Sequence, residues 1–145
     1  MRWSPWGALA TMPNVHVRLA DLPAETGGAA LVHRGNQKWI LIERTSTKAE
    51  RRSRLAHELI HLERGTTTRC RWSPRTWDVL VVREELIVDR EVARRLVPLD
   101  ELAGLVARLE DLGEPVHAVA VMEEFDVPVD VAQRALWLLA QRRGR

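Results

Sequence analysis

Residues 55–65 read LAHELIHLERG. Two histidines, His57 and His61, stand four apart, and Glu58 directly follows the first. On an α-helix, positions i and i+4 share one face a turn apart. Both imidazoles can therefore aim a ring nitrogen at one metal ion. Position i+1 is turned about 100° away, which takes Glu58 out of the ligand set. It leaves Glu58 able to draw a proton from a water at the site. Zinc lowers the pKa of such a water to about 7, so the spacing is what amide hydrolysis needs. The alternative is an amphipathic helix with two exposed histidines. Leu55, Leu59, Ile60 and Leu62 speak against it. They make the helix a buried one, where polar groups need partners.

Catalytic zinc usually has three protein ligands and one open position. Downstream, the candidates for the third are Cys70, Glu84, Glu85, Asp89 and His117. Helical spacing helps choose. Glu85, Asp89, Val92 and Leu96 form one stripe, so two carboxylates line up with apolar residues that face the core. With Glu85 on the metal and Asp89 accepting an N–H from His57 or His61, both carboxylates have partners and a histidine tautomer is fixed. A surface ion pair with Arg83, Arg90 or Arg94 is the alternative for these acids, and Cys70 is the runner-up ligand.

Working outward, VHVRL (15–19) alternates like a half-buried strand. AALVH (29–33) and WILIE (39–43) are apolar runs separated by RGNQK, which reads as a hairpin with a somewhat long loop. Thr45, Ser46 and Thr47 offer N-caps for a helix over 48–63 that ends at Gly65. Residues 66–77 read as a loop, and a second helix runs from 78 or 79 to 97, stopped by Pro98. Further helical patterns cover 99–113, 116–125 and 131–142, the last with Asp130 and Gln133 as a capping box. The expected fold class is α+β, a small antiparallel sheet followed by helices. The expected division is 1–113 and a C-terminal helical segment, 114–145, packed on it, with the boundary near Gly113-Glu114-Pro115.

The 145 residues are the size of one domain, and 46% apolar with 29% charged residues is ordinary globular composition. The start, MRWSPWGALATMP, has an apolar run too short and too broken for a secretion signal. No run approaches the roughly 20 apolar residues of a membrane span. One cysteine, Cys70, excludes an internal disulfide and fits a cytoplasmic setting. A net charge of +2 argues against a global pull on nucleic acid. Core packing is the favoured reading for each of the six tryptophans; the alternatives are that Trp3 and Trp6 pin the N-terminus to the sheet and that Trp72 and Trp77 line or cover the cleft.

LAHELIH followed by EELIVDREVARRLVP resembles the ImmA/IrrE family of bacterial and phage metallopeptidases. That family carries a HExxH helix and then a helix of the type E-x-E-A-N…A-x-x-L-L-x-P. Glu85, Asp89, Ala93, Leu96 and Pro98 fall on the matching positions. The actinobacterial and phage branch is closer still, through Pro5-Trp6, the run AERRSRLAHE and the pattern V-D-R-E-x-A-R-R-L. The resemblance covers nearly the whole chain. AVMEEFDVPVDVAQRALWLL (120–139) is similar to the family's C-terminal helices, with Pro128 where serine is common.

The resemblance implies a zincin-like fold of gluzincin type with a C-terminal helix-turn-helix-like segment. It implies Zn2+ on His57, His61 and Glu85, Glu58 as general base, and Asp89 where many members have asparagine. It also implies proteolysis of a DNA-binding, helix-turn-helix repressor. WILIE is expected to supply an edge strand, Trp39, Ile40, Leu41 and Ile42, to which an extended substrate adds backbone to backbone. The chain has no tyrosine, so a tyrosine stabiliser of the oxyanion is excluded, while His33, His117 and several arginines stay open. Two other readings are kept. One is a zinc-bearing antirepressor that binds without cutting. The other is DNA binding through residues 117–142, with Gln133, Arg134, Gln141, Arg142 and Arg143 facing a groove.

Overall fold

The computed structural model describes residues 2–65 and 78–144, so Cys70, Trp72 and Trp77 lie outside the described residues. In chain order there is a helix α1 (Pro5–Ala10), a strand β1 (Val15–Ala20), a single 3-10 turn (Ala24–Thr26), and strands β2 (Ala29–Arg34) and β3 (Gln37–Glu43). Helices α2 (Lys48–Arg64), α3 (Asp78–Leu96), α4 (Leu99–Asp111), α5 (Ala118–Phe125) and α6 (Val129–Arg143) follow.

The sheet is mixed rather than antiparallel. Its order is β1-β3-β2, with β3 antiparallel to β2 and parallel to β1. β3 takes the centre because it carries the most apolar run, and Ile40 and Ile42 are wholly buried. WILIE is therefore not an edge strand. The backbone of Trp39, Ile40, Leu41 and Ile42 is paired on both sides, and the edges belong to β1 and β2. The β2–β3 connection is also tighter than expected. Arg34 pairs with Gln37, leaving a two-residue turn with Gly35 first, at φ 60°. A glycine there suits the II′ hairpin turn, whose twist matches the strands.

Helix α2 is the partition of the molecule. Thr47 and Glu50 close a capping box at its start, and Gly65 ends it in the left-handed conformation. One face sends Leu55 and Leu59 against Leu31, Ile40 and Ile42 of the sheet. A second face, about 100° round the helix, sends Ala56 and Ile60 into a second cluster with Val88, Val92 and Leu96 of α3 and Phe125 and Val131 of the C-terminal pair. Such a helix, buried on two sides, cannot tilt without opening both cores. That rigidity reaches the two histidines of the same helix.

The C-terminal pair is tied to α2 through Arg52. Its guanidinium donates to the carbonyl oxygens of Phe125 and Asp126, at 2.8 and 3.1 Å. Asp126 ends α5 at φ 54°. The expected capping box of α6 does not form. Pro128 occupies the N-cap, with no side-chain hydrogen bond, and Asp130 sits inside the first turn. Nor does Trp3 reach the sheet. It packs on the helical cluster with Arg95 over its ring, 5.2 Å from the centroid, and Trp6 is exposed.

Candidate metal centre

The stripe read on α3 runs from core to cleft. Leu96 and Val92 are buried in the helical cluster. Two turns earlier, Asp89 and Glu85 emerge opposite the histidines of α2 and line a cleft of about 770 Å³. The sheet-side wall of the cleft holds Glu25, Gly27 and Ala29, and the helical wall holds Met122 and residues 127–131. Glu58 lines it too and is 2% exposed.

One carboxylate meets both imidazoles. Glu85 Oε2 lies 2.9 Å from His57 Nε2, and Glu85 Oε1 lies 2.8 Å from His61 Nε2. The two Nε2 atoms are 3.1 Å apart. Asp89 Oδ1 sits 3.1 Å from His57 Nδ1, so that nitrogen holds a proton and Nε2 is turned to the shared point. Burial pushes the His57 imidazolium down. The hydrogen bonds it donates to Asp89 and Glu85 outweigh burial and hold its pKa at about 9. Burial pushes Glu85 up, and the two histidines overcome that to hold its carboxyl far below the usual range.

The donor set itself tests whether a metal ion fits. Two imidazole nitrogens and one carboxylate oxygen all lie within 4.8 Å of one another. In the metal-free chain, the histidines and Glu85 satisfy one another across the point where a cation would sit. Two neutral nitrogens and one anionic oxygen are an ordinary three-ligand set with a position left open. These residues fit a metal ion, and among the described residues they are the one such group.

The other candidates lie elsewhere. Glu84 forms an ion pair with Arg64. His117 is the exposed N-cap of α5, and His33 is exposed on β2. Neither lines the cleft.

Arg54 and Arg134 do line it. Arg54 holds Glu50 Oε2 at 3.1 Å, while its Nη1 is buried without a hydrogen-bond partner in the described structure. Its guanidinium packs against Gly28, where a Cβ would collide with Cζ. Arg134 comes from α6 and stands 3.9 Å from Asp89 Oδ2. Nothing in the sequence points either of them to the cleft: Arg54 is one of many basic residues, and Arg134 is read only as one of five α6 residues facing a DNA groove.

The IrrE N-terminal-like domain profile, that of the M78 peptidases, matches residues 10–136, from the end of α1 into α6. The chain belongs to this family. No curated protein and no solved structure matches it. His57, His61 and Glu85, the group that could hold a metal ion, lie within the matched span. Membership supports a peptidase-type enzyme. Among the described residues no helix is long and apolar enough to cross a membrane.

Proposed function

We propose that this chain is a zinc-dependent endopeptidase with a zincin-type site, and that it cuts a specific protein partner. A DNA-binding, helix-turn-helix repressor in the cytoplasm is the partner class. One observation carries the reading: three convergent ligand atoms stand beside a buried glutamate in an open cleft.

His57, His61 and Glu85 hold the metal. Once bound, zinc polarises the scissile carbonyl and acidifies water. Asp89 keeps the proton on His57 Nδ1, so Nε2 stays a ligand. The Glu58 carboxylate takes a proton from the attacking water as its oxygen bonds to the carbonyl carbon. It then gives that proton to the amide nitrogen as the C–N bond breaks.

The test is co-expression with the repressor-type protein encoded nearest to the gene, read by intact mass. A fragment that appears with the wild type and not with Glu58→Gln supports peptidase action and locates the cut. An intact repressor that co-purifies with both forms supports the antirepressor reading instead.

A further inference from the structure

Beside the catalytic cleft lies a second hollow of about 380 Å³, lined by Arg90, Asp130, Gln133, Arg134 and Trp137. The two cavities share Asp130 and Arg134, so the surface runs on from one to the other. Asp130, Arg134 and Trp137 stand at i, i+4 and i+7 on one face of α6. Those seven residues span about 10 Å of helix, the reach of about three residues of extended polypeptide.

The cations on this shelf are under-used. Arg134 makes no hydrogen bond among the described residues, and its one ion pair is the 3.9 Å approach to Asp89, which also holds His57. Arg90 is exposed and lies over the ring of Trp137, 5.4 Å from its centroid. Trp137 itself is 48% exposed. A solvent-facing tryptophan forgoes burial. Here it holds one guanidinium in place by a cation–π contact and gives the shelf an apolar floor. Among the residues that line the shelf, two guanidiniums stand against one carboxylate, Asp130, while Asp89 meets Arg134 from the cleft side at 3.9 Å. Arginine's planar fork fits a carboxylate through two parallel hydrogen bonds.

We propose that this shelf is a specificity subsite, in which Arg90 and Arg134 bind an acidic side chain of the substrate within about three residues of where the chain leaves the cleft. The inference rests on the peptidase reading, since it takes the substrate to be a polypeptide threaded through the cleft. Continuity with the metal centre favours that ligand over a nucleic-acid backbone.

The test uses the full chain, zinc-loaded and carrying Glu58→Gln, immobilised and exposed to a degenerate decapeptide library. Retained peptides are sequenced by mass spectrometry, so the readout is binding and does not require hydrolysis. Aspartate and glutamate should be enriched about tenfold at one position, the size a charge-assisted pair supports. Arg90→Gln and Arg134→Gln should each lose most of that enrichment, and Arg134→Lys should keep part of it. Arg90 does not touch the metal ligands, so loss in Arg90→Gln with zinc content unchanged separates the subsite from damage to the centre. Acidic enrichment without hydrolysis in any assay would count against the peptidase reading and leave the subsite standing. Retained peptides without acidic bias, bias unchanged in both glutamine variants, or no retention at all would overturn the subsite. Binding of a 20-base-pair duplex that falls in the same variants, without acidic bias, would overturn it in favour of nucleic acid.

Discussion

The metal-free protein should lose stability as pH rises from 6.5 to 9, and saturating zinc should cancel that loss. His57 is held up at about 9 against an ordinary 6.5. A group raised in the folded state contributes stability that is complete below its unfolded value. That contribution is lost as pH climbs through the folded value. The gap is roughly two and a half units, and at about 1.4 kcal/mol per unit it corresponds to about 3 kcal/mol. Glu85 works from the other side. Its carboxyl is depressed, so its contribution is present above its ordinary 4.5 and lost as pH falls below it. The chelated protein should thus be most stable between about pH 4.5 and 6.5. A loss of about 3 kcal/mol is a large share of the roughly 5–15 kcal/mol a domain has. Zinc must displace the His57 proton, so its stabilisation grows over the same interval. Urea midpoints at pH 6.5, 7.5, 8.5 and 9.5, with chelator and with excess zinc, check both slopes. His57→Gln should flatten the chelated curve. A chelated wild type equally stable at pH 6.5 and 9.5 would refute the reasoning.

Asp89→Ala should leave the fold intact and weaken zinc binding by about 10–100-fold, because His57 Nδ1 loses its acceptor. Competition against a chromophoric chelator reads the change. Gly28→Ala should cost more than Gly27→Ala. Both positions have positive φ, 93° and 69°, but a Cβ at Gly28 strikes the Arg54 guanidinium while one at Gly27 meets nothing within 4 Å. Thermal melts should place Gly27→Ala about 1 kcal/mol below wild type and Gly28→Ala lower still. Phe125→Ala should cost about 3–5 kcal/mol in denaturant titration, since the residue is 2% exposed in the helical cluster.

The candidate metal centre was legible because it is helical on both sides. His57 and His61 declare themselves by a spacing of four, and Glu85 and Asp89 by standing as carboxylates on an otherwise apolar stripe. A periodic backbone turns such sequence spacing into geometry. Strand partners carry no such rule. The parallel pairing of β1 with β3 joins residues over twenty positions apart, such as Val15 and Lys38, and depends on which strand wins the central place. The error over WILIE follows from this, because an apolar run reads the same at an edge as at the centre until its neighbours are known. Capping was misread at Asp130 for a local reason. Pro128 fixes the extended backbone two residues earlier and starts α6 ahead of the aspartate. Arg54 and Arg134 were not legible, since only tertiary packing brings them to the cleft. Trp137 pointed the wrong way. Its size suggests core, yet it serves as a half-exposed platform.

The central claim is that His57, His61 and Glu85 are the ligands of one catalytic ion and that Glu58 is not a ligand. Zinc content per chain, measured by native mass spectrometry on the wild type and on single variants, tests it most directly. The account predicts one zinc in the wild type, in Glu58→Gln and in Cys70→Ser, and loss of zinc in His61→Ala and Glu85→Ala. Zinc retained in full by Glu85→Ala, or lost from Cys70→Ser, would contradict it.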